Sequence, residues 1–438
     1  MELVKAFANP NRCMQRLGFL KHLLWRASLS ATNNLATLGK DLVAAVSKRI
    51  EVELSPEIRA YVLRALISPK YRITRGLAQV QHSGSENESR LIEIELQDSY
   101  LADPNIFSHR GKLVSEDWRR YPYLAVELGL LRRGTFSLLV RGQAFLGITS
   151  EEERRAFVVE SGSALGVAHV NPLKLTLQQR ILLLFSLLGN DGDILLGFSE
   201  ALLKLEQPFT DWQAGDVLPE VYRQVAKAAR ERVRGGDDLV RIQRLVDTAS
   251  NIESWKEKEH KGRGARDEGA TVRLEPLVDL GLLVKADKFA YRYEITDATR
   301  RFFGALLEAG SVDSFLEKHF FEATNLSFDL GAKHRADRET ILPSIQRAYR
   351  VLKSPMGYVP IVELLLLAGI YAITENGWFF EQGEALELLK VVQREIPERV
   401  TFNVDRWGAL SVVKIKDDLG DLVRQNILGG NVLGPSLE

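Results

Sequence analysis

Residues 124–131 read LAVELGLL, and residues 276–283 read PLVDLGLL. The two stretches align as Val126 with Val278, Glu127 with Asp279, Leu128 with Leu280, Gly129 with Gly281, and the two closing leucines with each other. Their downstream flanks also correspond. The first continues through Arg132-Arg133-Gly134-Thr135, Phe136 to Leu139 and then RGQAFL. The second continues through Val284 to Lys288, Phe289 to Ile295 and then TDATRRFF, so that Phe145 matches Phe302. Self-similarity at a separation of about 150 residues marks a repeated structural unit. Each copy reads as an apolar helix ending at a glycine, because glycine takes the left-handed conformation that closes a helix. Two leucines then open a strand, a polar turn follows, and a second strand returns. Thr296-Asp297 then caps a new helix. The first copy has Leu139-Val140 at that place, so its following helix lacks a clear cap.

Helix, hairpin, helix with this spacing resembles the winged helix-turn-helix superfamily over roughly 35 residues per copy. A third copy is legible near the C-terminus. Pro360 to Ile373 and Phe380 to Ile396 read as helices, and Pro397 stops the second. Val400 to Val404 and Ala409 to Lys416 flank a hairpin tip at Asp405 to Gly408, with Arg406 and Trp407 on it. The expected fold class is mainly α with small β-hairpins: tandem winged-helix units joined by helical insertions. The expected division is 1–80 as a basic helical region, 81–170 as unit 1, 171–330 as a helical insertion plus unit 2, and 331–438 as unit 3.

The chain has 438 residues with 45% hydrophobic and 26% charged content, which excludes a wholly disordered or collagen-like chain. Lys+Arg and Asp+Glu are both 58, so a histone-like coat for nucleic acid is excluded. The balance is uneven, however. Residues 1–80 hold 13 Lys/Arg against 5 Asp/Glu, and two amphipathic helices are expected there, at 33–50 and 56–67. The lone Cys13 allows no internal disulfide. No signal peptide is legible at Met1 to Lys5. The apolar run Val359 to Ile373 contains Pro360, Glu363 and Gly369 and is too short for a bilayer. A cytoplasmic protein without membrane attachment is expected.

Loops are expected at 81–90, 207–215 and 257–270, the last too polar and charged to order itself. Helices are expected from Leu177 after an N-cap at Thr176, from Ile194 after a turn at 189–193, at 217–233 and at 238–258. Asp191 and Asp193 fail as a calcium loop, since Leu202 stands where the loop needs its glutamate, and read instead as a helix N-cap. The seven histidines form no metal-spaced pair, and no phosphate-cradling or nucleophile-elbow motif is present. No cofactor or metal is expected.

The leading expectation is a non-enzymatic DNA-binding or DNA-associated protein, in a bacterial nucleic-acid-processing or antiviral defence assembly with other protein subunits. The defence setting rests only on a large, helix-rich chain without catalytic motifs. The resemblance implies a third helix in the major groove and a wing on phosphate. The implied contacts are Arg119, Arg120, Arg132 and Arg133 in the first copy. In the second they are Arg263, Arg266, Arg273, Lys285 and Lys288, and in the third Arg406. One alternative is a scaffold whose winged helices bind proteins, favoured by the acidic residues beside these cations. Another is a nuclease with dispersed carboxylates, at Glu253 to Lys258 or Glu384 to Lys390.

Overall fold

The computed structural model describes residues 4–7, 17–18, 20–29, 120–150, 175–233, 236–257, 265–287, 292–405, 409–416 and 419. The helices expected at 33–50 and 56–67, the loop at 81–90 and Cys13 lie outside these residues. The described chain is mainly helical with small sheets. It divides into two compact units, 1–307 and 308–438.

In the first unit, α1 (Leu20–Ser28) is followed by α2 (Arg120–Glu127) and α3 (Val140–Gly147). Between α2 and α3 the hairpin is reduced to one bridge, Leu131 with Leu138. Then come α4 (Leu177–Leu203), β1 (Phe209–Thr210), α5 (Asp211–Arg230), α6 (Gly236–Glu257), α7 (Ala265–Asp279), β2 (Leu283–Asp287), β3 (Arg292–Ile295) and α8 (Asp297–Glu308). The sheet order is β1-β3-β2, antiparallel throughout, with Phe209 opposite Tyr293 and Tyr293 opposite Lys285. Tyr293 is the buried centre of this sheet, its ring 5.9 Å from that of Phe209.

The repeat closes its helices identically. Gly129 and Gly281 take φ of +69° and +81°. The N–H groups of Gly129 and Leu130 reach the carbonyls of Val126 and Ala125, at 3.0 and 2.8 Å. Those of Gly281 and Leu282 reach Val278 and Leu277, at 2.9 and 2.8 Å. Both are Schellman closures, which satisfy carbonyls that the helix end leaves open. The next helix differs as its residues require. Thr296 accepts from the Thr299 N–H at 3.1 Å, whereas Leu139 makes no side-chain cap.

Thr176 caps α4, and the interruption expected at 189–193 is present as a kink at Asp191 (φ −127°, ψ 15°), across which two helical stretches run on as one element. Two sequence expectations are corrected. Expected loop 207–215 is mostly structured: Thr210 caps α5 through a capping box with Gln213. Within 257–270, α7 already begins at Ala265, and Gly269 and Ala270 are buried. By length and composition α4 could cross a membrane, and 72% of its most apolar window is buried inside the protein.

The second unit holds α9 (Val312–Lys318), α10 (Phe320–Ser327), β4 (Lys333–His334), α11 (Arg338–Leu352), β5 (Tyr358–Pro360) and α12 (Ile361–Tyr371). A π turn at Ala372–Asn376, β6 (Trp378–Phe379), α13 (Gln382–Glu395), β7 (Val400–Val404) and β8 (Leu410–Ile415) complete it. The sheet order is β5-β8-β7, again antiparallel. The expected helices and hairpin of the third copy are therefore present, while the tip at 406–408 lies outside the described residues. Both units share one order: helix, strand, helix, helix, strand, strand, with the first strand paired to the last. In the first unit α6 is added between the second helix and the third.

Candidate functional site

The most specific arrangement of charge lies inside the first unit. Asp191 leaves helical geometry at the kink of α4, and its side chain turns into the core. There it meets Arg273 of α7. Nε of Arg273 donates to Oδ2 at 2.6 Å and a terminal nitrogen donates to Oδ1 at 2.9 Å. The same nitrogen also donates to the Tyr222 hydroxyl of α5 at 3.0 Å, and Nη1 donates to the Gly269 carbonyl at 2.9 Å. Both charged side chains are 0% exposed. Burial raises the Asp191 carboxyl above its ordinary value, against the pull of Arg273 and of the Phe7 N–H. Burial also acts against the Arg273 charge, but the Asp191 carboxylate outweighs it and keeps the guanidinium protonated.

These carboxylates hold the N-terminal segment by its backbone. Asp191 accepts the Phe7 N–H at 2.9 Å and Asp193 accepts the Lys5 N–H at 2.8 Å. The Asp193 N–H returns a bond to the Lys5 carbonyl at 3.1 Å. Asp279, at the end of α7, accepts the Leu17 N–H at 2.6 Å. Nothing here is poised for proton or group transfer, since the ions face main chain and each other. The N-cap expected of Asp191 and Asp193 is thus corrected: both serve a distant segment. The signal in the sequence was a polar pentapeptide, GNDGD, set inside a long apolar run.

The expected nucleic-acid contacts are scattered in their circumstances. Arg273 is corrected, because a guanidinium spent on Asp191, Tyr222 and Gly269 in the core has nothing to offer a phosphate. Lys285 is mostly buried and pairs with Glu275 at 2.8 Å, and Glu275 also accepts the Tyr293 hydroxyl at 2.7 Å. Arg133 pairs with the buried Glu127 at 2.9 Å while most of its side chain stays exposed. Arg132 is exposed. Arg119, Arg263, Lys288 and Arg406 lie outside the described residues. Arg120 opens α2 and Arg266 lies in α7's first turn, with only their backbones described.

The helices expected to enter a groove in the second and third copies, α7 and α13, differ in exposure. From Gly269 to Leu280, α7 is enclosed on every side except at half-exposed Val278, because α5 and α6 cover it. In the second unit α13 buries Ala385, Leu389 and Val392 and turns outward Glu387, Arg394 and Glu395, with Leu386, Leu388 and Val391 half exposed. Arg338 donates to Glu395 at 2.6 Å and Lys390 to Glu387 at 2.6 Å. At its start, Glu381 is buried and accepts the N–H groups of Phe321 and Glu322, at 3.2 and 2.8 Å. Burial pushes its carboxyl up to about 7, against these two bonds and with help from Glu384 and Glu322. Glu384 accepts the Glu381 N–H at 2.7 Å and lies 2.9 Å from His334 Nε2.

Of the carboxylates weighed for nuclease chemistry, Glu253 pairs with Arg223 and Glu384 with His334, and the side chain of Glu257 lies outside those described. Among the described residues no three His, Cys, Asp or Glu side chains gather to hold a metal ion. No family model, curated protein or solved structure matches the chain.

Proposed function

We propose that this chain is a non-enzymatic interaction subunit built on winged-helix units, in which the third helix of the second unit, α13, serves protein contacts. The shared order of helices and strands, with the first strand beside the last, supports winged helices in both units. The observation that carries the functional reading is how the third helices are used. From Gly269 onward, the described side chains of α7 are enclosed and leave no face for a groove. The outer face of α13 carries Glu387 and Glu395, which a phosphate backbone repels, beside half-exposed Leu386, Leu388 and Val391. Apolar side chains flanked by paired charges make a protein-facing surface.

Co-purification tests this. The tagged full chain is crosslinked in its host cells and washed in salt high enough to strip phosphate contacts. The expected result is a stoichiometric protein partner that is lost when Leu388 and Val391 are both changed to Asp. If those substitutions instead abolish duplex binding, and no protein partner survives the wash, the reading is wrong.

A further inference from the structure

We infer that the closed end of the α5–α6 hairpin is a phosphate-contacting surface for duplex nucleic acid. This site is independent of the protein contacts proposed for α13. Between residues 227 and 244 there are six Lys/Arg and three Asp/Glu. Lys227, Arg230, Arg232 and Arg244 are exposed and carry no ion pair among the described residues. Further down the hairpin the situation reverses, since Arg223 pairs with Glu253 across the two helices and lies 4.0 Å from Glu220. Among the described residues of this hairpin, the cations without an ion pair therefore lie toward the tip.

The tip also stands clear of the core. Glu231, Arg232, Gly236, Leu239, Val240 and Arg241 are all exposed. At about 1.5 Å of rise per residue, the cations of each helix fall within roughly one turn along the axis. Duplex DNA carries a negative charge every ~1.7 Å of its own axis, so several phosphates come within reach at once.

Three features favour nucleic acid over other anions. Among the described residues four of the five cations are arginine, whose planar fork suits phosphate oxygens. The adjoining surface of α6 carries exposed Asn251 and Gln243, the latter donating to Asp247 at 2.9 Å, residue types that accompany phosphate contacts. The apolar face of α6, with Ile242, Leu245, Ala249 and Ile252, is already buried in the protein. Insertion into a lipid surface needs such a face to be free. Exposed Leu239 and Val240 are too small a patch for that, and suit the sugar edge of a groove.

The test is fluorescence anisotropy of the full chain with a labelled 20-base-pair duplex of mixed sequence, titrated upward from about 50 mM salt. The wild type should bind, with log K falling linearly with log salt. The triple variant R230A/R232A/R244A should bind at least ~10-fold more weakly and flatten the slope by about 2–3, since each lost contact removes about 0.9. Lys318→Ala, an exposed cation in the second unit, should leave binding unchanged. The inference is overturned if the wild type shows no binding at the lowest salt or if the triple variant binds like the wild type. It is equally overturned if phosphatidylserine vesicles bind the tip in preference to the duplex. Circular dichroism of the variant confirms that it is folded.

Discussion

Arg273 and Asp191 are both fully enclosed, and each is what makes the other's burial tolerable. Removing one partner leaves an uncompensated charge in a low-dielectric interior, which typically costs about 3–5 kcal/mol. Asp191→Ala is therefore expected to lower the urea midpoint of the full chain by a large step. It should also release the N-terminal segment, because the Phe7 N–H loses its acceptor. Changing both partners, Asp191→Leu with Arg273→Met, should recover part of that loss. Recovery should stay incomplete, since the orphaned Phe7 N–H still costs about 1–3 kcal/mol. A double variant no more stable than Asp191→Ala would show that charge pairing is not the source of the effect.

Among the elements, the repeated helix closure makes a sharper comparison, because two copies of one device differ at one position. In the first copy a Cβ on Gly142 would lie 2.4 Å from the Leu130 carbonyl oxygen. In the second copy the matching Thr299 instead donates its hydroxyl to the Leu282 carbonyl. The start of the following helix thus rests on the same carbonyl in both, by contact in one and by hydrogen bond in the other. Gly142→Ala should destabilise by about 1–3 kcal/mol through overpacking. Gly129→Ala has room for its Cβ, the nearest atom being 3.6 Å away, and should cost about 1–2 kcal/mol through backbone strain alone. Hydrogen exchange over 124–147 separates the two, since Gly142→Ala should loosen the entry to α3 and Gly129→Ala the exit from α2.

For the whole molecule, the Glu381 carboxyl gives the second unit a pH response of its own. The Glu381 carboxyl, raised by burial to about 7, binds its proton more tightly in the folded state than in the unfolded one. Its contribution is therefore fully present below the ordinary carboxylate range and is lost as pH rises through about 7. The size is on the order of 3 kcal/mol. In thermal unfolding, the transition of the second unit should fall in temperature between about pH 5 and pH 8. Glu381→Gln should flatten that fall, at some cost in stability, because an amide can present only one oxygen to the two N–H groups of α10. An unchanged slope in Glu381→Gln would assign the pH dependence elsewhere. The pH dependence of the first unit's transition should be the same in wild type and Glu381→Gln, since Glu381 belongs only to the second.

Local patterns in the sequence were enough for the helix closures at Gly129 and Gly281, the cap at Thr176 and the hairpin of 400–416, because each depends on neighbours within a few residues. The charge asymmetry and the absence of metal-spaced histidines were also plain from the residues alone. What needed the tertiary structure was the fate of each charge. Arg273 and Arg244 look alike in the sequence, each an arginine in a helical stretch. One is buried against a carboxylate 82 positions away, and the other stands in solvent. The order of the sheets, the covering of α7 by α6, and the turning of Asp191 toward Phe7 were equally out of reach. Local propensity acts over one or two turns of chain, whereas burial and ion pairing are settled by which distant segments pack together.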